Sequence, residues 1–256
     1  MKQVHHSAAA GYKTAADTYV RGRPDYPPQV AGWLTGALGL NADKSVVDLG
    51  AGTGKFTGRL VATGAQVIAV EPVPQMLEKL LDAWPDVLAV SGTATDLPLP
   101  DASVDVVICA QAFHWFASDE ALTEIARVLK PGGKLGLVWN LRDTRVSWVP
   151  KLDAIVNALE GDTPRFYTGA WRRAFPHAAF GPLQEQQFSH EHTGSPEDVI
   201  FNRVRSTSFV SALPAVERAK VDEQMRTLID AVPELRGKDV VTVPYVTAAF
   251  VAVKVS

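Results

Sequence analysis

Cysteine is almost absent: Cys109 is the only one in 256 residues. That excludes a disulfide within the chain and any multi-cysteine metal site. No apolar run approaches the ~18 residues that a membrane-spanning helix needs. The opening Met1-Lys2-Gln3-Val4-His5-His6 lacks the apolar centre of a secretory signal. Neither sign of charge dominates, with 25 Lys and Arg against 28 Asp and Glu and a net charge of −3. Charge therefore makes no case for nucleic acid. There is no fixed-period repeat and no low-complexity tract. The expectation is a soluble, cytoplasmic protein with neither a nucleic-acid nor a membrane partner, its oligomeric state left open. What the chain has in quantity is core. It is 46% hydrophobic and 21% charged, which excludes disordered, collagen-like and coiled-coil chains.

Residues 1–44 read as an N-terminal arm with the polar-aromatic stretch Tyr19-Val20-Arg21-Gly22-Arg23-Pro24-Asp25-Tyr26-Pro27-Pro28. Paired prolines stop one helix and can start the next, through Val30, Trp33 and Leu34. From residue 45 the rhythm is strand, loop, helix. Strands are expected at 45–49, 67–70, 87–90, 104–109 and 134–140. Between them, one helical face carries Phe56, Leu60 and Val61. A second carries Met76, Leu77, Leu80, Leu81 and Trp84. A third, capped by Ser118, carries Leu122, Ile125, Ala126 and Leu129. Strands alternating with helices at this spacing make a parallel sheet covered on both faces. Residues 45–140 form its core. Residues 141–236 read as a helical cap with insertions, including a strand near 181–192. Residues 237–256 supply the final strand region, as two pieces or one strand bent near Pro244. The whole is read as one domain.

The sharpest signal is Val46-Val47-Asp48-Leu49-Gly50-Ala51-Gly52-Thr53-Gly54-Lys55-Phe56. A strand delivers the chain to alternating glycines, and a helix follows. Glycine permits positive φ and lets a ligand touch the backbone, and free N–H groups are expected to face that ligand. A dinucleotide and S-adenosylmethionine (SAM) compete for such a loop. The dinucleotide fingerprint is GxGxxG; here the third glycine comes one residue early. Asp48, at the strand end, suits the cationic amino group of SAM better than a pyrophosphate. Glu71 closes the second strand, where an acid accepts from ribose hydroxyls of either ligand.

These residues resemble class I SAM-dependent methyltransferases. VVDLGAGTG matches that family's first motif and VIAVEP the acidic end of its second strand. GTATDLPLPDASVDVVICAQAFHWF and LKPGGKLGLVWN are similar to its later motifs. The arm and the C-terminal part resemble the small-molecule branch that includes trans-aconitate methyltransferase-like proteins. The resemblance implies a Rossmann-like, seven-stranded, mostly parallel sheet with an antiparallel last strand, plus arm and cap. It implies SAM as cofactor, S-adenosylhomocysteine as product, and a small-molecule methyl acceptor. Its cofactor contacts map onto Asp48, Gly50, Ala51, Gly52, Gly54, Glu71, Met76, Thr93, Ala94 and Gln111, with Tyr19 and Arg23 reaching over from the arm. Thr93 departs from the family's usual acid; its hydroxyl can still accept from an adenine amino group.

Methyl transfer from a sulfonium is an in-line displacement with a good, neutral leaving group. The protein mainly aligns and desolvates the reactants. A base is required only if the acceptor must lose a proton. His114, in Ala112-Phe113-His114-Trp115-Phe116, is the candidate catalytic residue; base, hydrogen-bond donor to substrate and structural hydrogen bond are all open to it. Trp115 and Trp171 are candidate walls of the acceptor pocket. Trp171 falls with Tyr167 and Phe175 on one face of an expected helix, where core packing competes with that role. His190 and His192 share one face of a strand without a third ligand, so no metal is expected and a solvated strand is. The favoured activity is O-methylation of a carboxylate or hydroxyl. C-methylation of a quinone-type acceptor, a silent SAM-binding module and an NAD-dependent oxidoreductase are the alternatives.

Overall fold

The computed structural model describes residues 22–255; Tyr19 lies outside them. Among the described residues, seven strands form one sheet. They are β1 (Ser45–Leu49), β2 (Gln66–Val70), β3 (Leu88–Val90), β4 (Val104–Ala110), β5 (Leu129–Arg142), β6 (Gln184–Gly194) and β7 (Val241–Val253). Their spatial order is β3-β2-β1-β4-β5-β7-β6. The chain divides into two compact units. A sheet unit holds Tyr26–Trp139, Pro164–Phe188 and residues 247–255. A second unit holds Asn140–Thr163, Ser189–Val246 and residues 22–25. The segment 164–188, expected within the cap, thus belongs with the sheet.

In the sheet unit, β1 pairs in parallel with β2 and with β4, β2 with β3, and β4 with β5. Val46, Val47, Val106, Val107 and Ile108 are fully or almost fully buried, as strands covered on both faces require. Helix α1 (Gln29–Gly36) follows the proline pair and buries Val30, Trp33 and Leu34, as expected. Helices α2 (Thr57–Val61) and α3 (Pro74–Ala83) connect the next strands. Val61 and Leu81 depart from expectation, at 38% and 40% exposed. Each directly follows a buried leucine, and one residue along a helix turns about 100°, off the buried face. Helix α4 (Asp119–Val128) opens with the Ser118 hydroxyl accepting the Ala121 N–H at 3.2 Å. Asp119 and Glu120 complement the positive end of its dipole.

Strand β5 begins five residues before the expected Lys134. Pro131-Gly132-Gly133 does not precede it but is absorbed as an irregularity in its pairing with β4. Strand β7 is antiparallel to β5. The Lys254 N–H donates to the Gly133 carbonyl at 2.8 Å, and at the other end of the strands the Asp143 N–H donates to the Pro244 carbonyl at 2.9 Å. Pro244 uses only its carbonyl there, so β7 runs through it as one strand. The helix expected through Tyr167, Trp171 and Phe175 is not formed. Gly169, at φ +70°, starts only a 3₁₀ turn over Ala170–Ala174.

The second unit packs helix α5 (Val149–Asn157), the wide-turned stretch Glu197–Asn202 and helix α6 (Ala215–Ala231) around Trp148, Leu152, Val204, Val221, Met225 and Tyr245. His190 and His192 are not on a solvated strand. Both are half-buried, with rings 5.5 Å and 6.3 Å from that of Tyr245, because the apolar face of β7 lies beside them. Among the described residues no group of His, Cys, Asp or Glu could hold a metal ion, and no helix is long and apolar enough to cross a membrane.

Candidate active site

Strand β1 has β2 on one side and β4 on the other. The strand order reverses there, and the carboxyl ends at such a switch point are where open α/β sheets bind ligands. The glycine loop leaves β1 at that end. Gly50, Gly52 and Gly54 have φ of +73°, +59° and +79°, conformations that side chains resist. Their surroundings differ. A Cβ on Gly50 would lie 2.7 Å from Cβ of Ala112, and one on Gly54 would lie 2.8 Å from the Trp84 ring. These two glycines serve internal packing. A Cβ on Gly52 would meet only Sδ of Met76, at 3.8 Å. Gly52 is the position where a ligand has room.

The loop amides do not face a ligand as expected. Gly50 and Ala51 donate to the Val70 carbonyl at 2.8 and 3.2 Å, and Gly54 donates to the Ala51 carbonyl at 3.0 Å. Gly52 donates to Oε2 of Glu71 at 2.9 Å. Helix α2 starts only at Thr57. A pyrophosphate needs those amides and a helix end at the loop; here the amides turn inward and an acid closes the loop.

Glu71 is 5% exposed and also accepts the Val73 N–H on Oε1 at 3.0 Å. Burial pushes its carboxyl above the usual range, and the two backbone donors pull it back. Each oxygen keeps a further lone pair for a hydroxyl. Asp48 is fully buried. The Thr57 hydroxyl donates to its Oδ2 at 2.7 Å, and Oδ1 is buried without a hydrogen-bond partner among the described residues. Burial raises its pKa to about 7, with Thr57 opposing and Glu71 reinforcing the shift. The sequence places Asp48 facing the ligand; the structure places it beneath the loop, tied to the residue that begins α2.

After β4 the chain turns at Gln111, whose φ of +58° is a strained, left-handed conformation. Its N–H donates to the Val138 carbonyl at 2.8 Å. The turn Phe113–Trp115 follows, with Ala112 and Phe116 against Gly50. The Trp139 indole N–H donates to Nδ1 of His114 at 3.1 Å. An indole can only donate, so Nδ1 carries no proton and the neutral ring holds its proton on Nε2. Of the roles open to His114, the structure shows a structural hydrogen bond, in which Nδ1 already accepts.

A profile of the methyltransferase domain matches residues 47–137. An uncharacterized methyltransferase-like protein of Schizosaccharomyces pombe is 39% identical over 240 residues, 93% of each chain. An uncharacterized methyltransferase of Mycobacterium tuberculosis is 42% identical over 236 residues, 92% of each chain. The chain belongs to the class I SAM-dependent methyltransferases. The YcgJ protein of Bacillus subtilis shares the fold, with a TM-score of 0.57 at 21% identity over 89% of this chain and 99% of that one.

Membership of the methyltransferases implies the use of SAM. The residues present fit that group: an open glycine, a buried carboxylate with spare lone pairs that accepts from it, and a thioether beside the glycine. Gly52, Glu71 and Met76 are brought together. Gly92 packs against Val70, which sets Thr93 and Ala94 beside the end of β2. Thr93 is half-buried, its hydroxyl 3.5 Å from that of Thr95. Ala94 is buried, so only its backbone is on offer. Trp115 is half-buried, its ring 5.2 Å from His114.

Trp171 is a core residue of this methyltransferase, not a pocket wall. It is 2% exposed, its indole N–H donates to the Phe166 carbonyl, and its ring packs on Trp139, Phe166 and Phe250. Arg23 lies in the second unit, where its guanidinium donates to the Ser206 carbonyl at 3.2 Å. The sequence reading missed Trp139 as the partner of His114, and Thr57 as the partner of Asp48. Neither pairing has a spacing signal, because each crosses between elements.

Proposed function

We propose that this methyltransferase acts on a small molecule and places the methyl on oxygen, a carboxylate being the favoured acceptor. The observation that carries this reading is the Trp139–His114 hydrogen bond. It leaves His114 a donor at Nε2, suited to holding an acceptor oxygen in line. A carboxylate is already deprotonated and needs no base. A phenol or a quinone-type carbon acceptor calls for one, and His114 is poorly placed to serve.

The residues proposed to hold SAM are Gly50, Ala51, Gly52 and Gly54 through the loop backbone, Glu71 at the ribose hydroxyls, Met76, Thr93 and Ala94 at the adenine, and Gln111 at the methionine part. Asp48 acts through the loop that it holds. Tyr19 and Arg23 remain proposed contacts of the arm. SAM supplies an electrophilic methyl whose departure leaves a neutral thioether. The chain's part is to orient the acceptor through His114, to wall it with Trp115, and to exclude water.

Incubating the protein with labelled SAM and panels of small carboxylic acids, phenols and quinones tests the reading. Base-labile label on a carboxylic acid is the expected result. Label confined to phenols or to carbon overturns it, and label nowhere favours a silent SAM-binding module.

A further inference from the structure

The segment between β3 and β4 carries Thr93 and Ala94. In Asp96-Leu97-Pro98-Leu99-Pro100-Asp101 two prolines remove N–H groups that a local ladder would need. Each proline also keeps the leucine before it out of the helical region. The segment's own bonds are few. Thr93 and Asp96 exchange two, at 3.3 and 3.2 Å, and the Leu99 N–H donates to the Leu97 carbonyl at 2.7 Å. Its shape must be fastened from outside.

Arg127 on α4 is the fastening. Its Nη2 donates to the Leu97 carbonyl at 3.0 Å, and Nη1 donates to the Leu99 carbonyl at 2.8 Å. Nη1 also donates to Oδ1 of Asp101 at 2.6 Å. Nε and Nη2 grip the two oxygens of Glu124, one turn earlier on α4, at 2.8 Å each. Five guanidinium N–H groups thus meet five acceptors, the most that the side chain can serve. Glu124 adds a contact of its own: Oε1 accepts the Leu97 N–H at 2.7 Å. The guanidinium holds the Glu124 carboxyl below its usual range, so the pair is ionised at neutral pH.

The two leucine carbonyls flank Pro98, and Pro98 packs on Gly92. A Cβ on Gly92 would lie 2.8 Å from Cδ of Pro98 and 3.0 Å from Cγ1 of Val70. Gly92 directly precedes Thr93 and Ala94. A path of contacts therefore runs from α4, through Pro98, to the residues proposed at the adenine. We propose that Arg127, braced by Glu124, is a positioning residue for the base of the cofactor. It acts through the segment 92–101 and not by touching the base. The inference rests on the reading of Thr93 and Ala94 as adenine contacts. Lysine cannot take over this role, because a compact ammonium lacks the planar fork that reaches both carbonyls and the carboxylate together.

The test uses the full chain as parent, Arg127→Lys and Glu124→Gln. Backbone hydrogen exchange is followed with and without S-adenosylhomocysteine, whose affinity is measured by calorimetry. In the parent, the ligand should slow exchange across residues 93–96. In ligand-free Arg127→Lys, residues 93–99 should exchange faster while β1, β2 and the glycine loop keep their protection. S-adenosylhomocysteine should then bind about five- to tenfold more weakly, the scale of one neutral hydrogen bond. Glu124→Gln keeps one oxygen for the Leu97 N–H and should fall between the two. If Arg127→Lys does not fold, Glu124→Gln decides by the same two readouts. Faster exchange in every element alike marks a brace for stability only and overturns the inference. Protection of residues 93–96 in the parent, with parental affinity in both variants, overturns this inference and leaves the adenine reading standing. A ligand that leaves residues 93–96 unprotected in the parent overturns both.

Discussion

The indole of Trp139 fixes the tautomer of His114: its N–H ends on Nδ1, 3.1 Å away. Nitrogen-15 NMR of the imidazole should show Nδ1 unprotonated and Nε2 protonated at neutral pH. Trp139→Phe should release that preference. His114→Ala should cut turnover with a carboxylate acceptor about ten- to a hundredfold, the scale of a bond to a charged group. His114→Asn should keep more activity, since an amide still donates. A proton found on Nδ1 in the parent protein would restore the base.

Gly52 and Gly54 should part company on substitution. Gly52→Val adds strain of about 1–3 kcal/mol at its positive φ and fills the one open side of the loop. It should weaken S-adenosylhomocysteine binding at least about tenfold, or ~1.4 kcal/mol. Gly54→Ala drives a carbon into the Trp84 ring, so it should lower the melting temperature first. Calorimetric titration alongside thermal melts separates the two. Unchanged affinity in folded Gly52→Val removes that glycine from the site.

Glu71 is both acceptor and brace. Glu71→Ala orphans the Gly52 and Val73 amides, so stability and S-adenosylhomocysteine affinity should fall together. Glu71→Gln keeps one oxygen acceptor. It should spare much of the stability while losing about 1.5–3 kcal/mol of affinity. Wild-type affinity in Glu71→Gln would count against the ribose contact.

Asp48 should give the ligand-free protein an unusual pH dependence. Its carboxyl titrates near 7 when folded against a usual value of 3.8. Between those values the folded chain holds the extra proton, so stability falls as pH rises through the window. The slope is at most about 1.4 kcal/mol per pH unit for one proton. Glu71, raised in the same direction, adds to it at the lower end. Asp105 does not interfere: Lys130, Lys44 and Ser45 hold its carboxyl low, and its contribution is lost only below the usual carboxylate range. Asp48→Asn keeps an acceptor for Thr57 and should flatten the slope. Denaturant unfolding from about pH 4 to 7 checks this; parallel profiles would mean that Asp48 is ionised when folded.

The parallel sheet was legible because its strands are short apolar runs that alternate with helices. The glycine loop and Glu71 were legible for the same local reason. What escaped depends on contacts between distant segments. Trp171 sits on a helical period that never becomes a helix, since an aromatic cluster rather than a helical face takes up its ring. His190 and His192 alternate like solvated residues, but Tyr245 flanks them. The inward turn of the loop amides follows from Val70 and Glu71 lying next to β1, and no motif within the loop records it.

Strand β6 touches the sheet only through β7, which is made after it. During synthesis β1 to β5 can pair as they emerge, but β6 must wait for a segment still inside the ribosome. A chain halted before Val241 therefore forfeits two strands of the sheet, not one. Arg142 would then have no Tyr245 across from it, so the pairing of β5 with β7 is among the last parts of the molecule to exist.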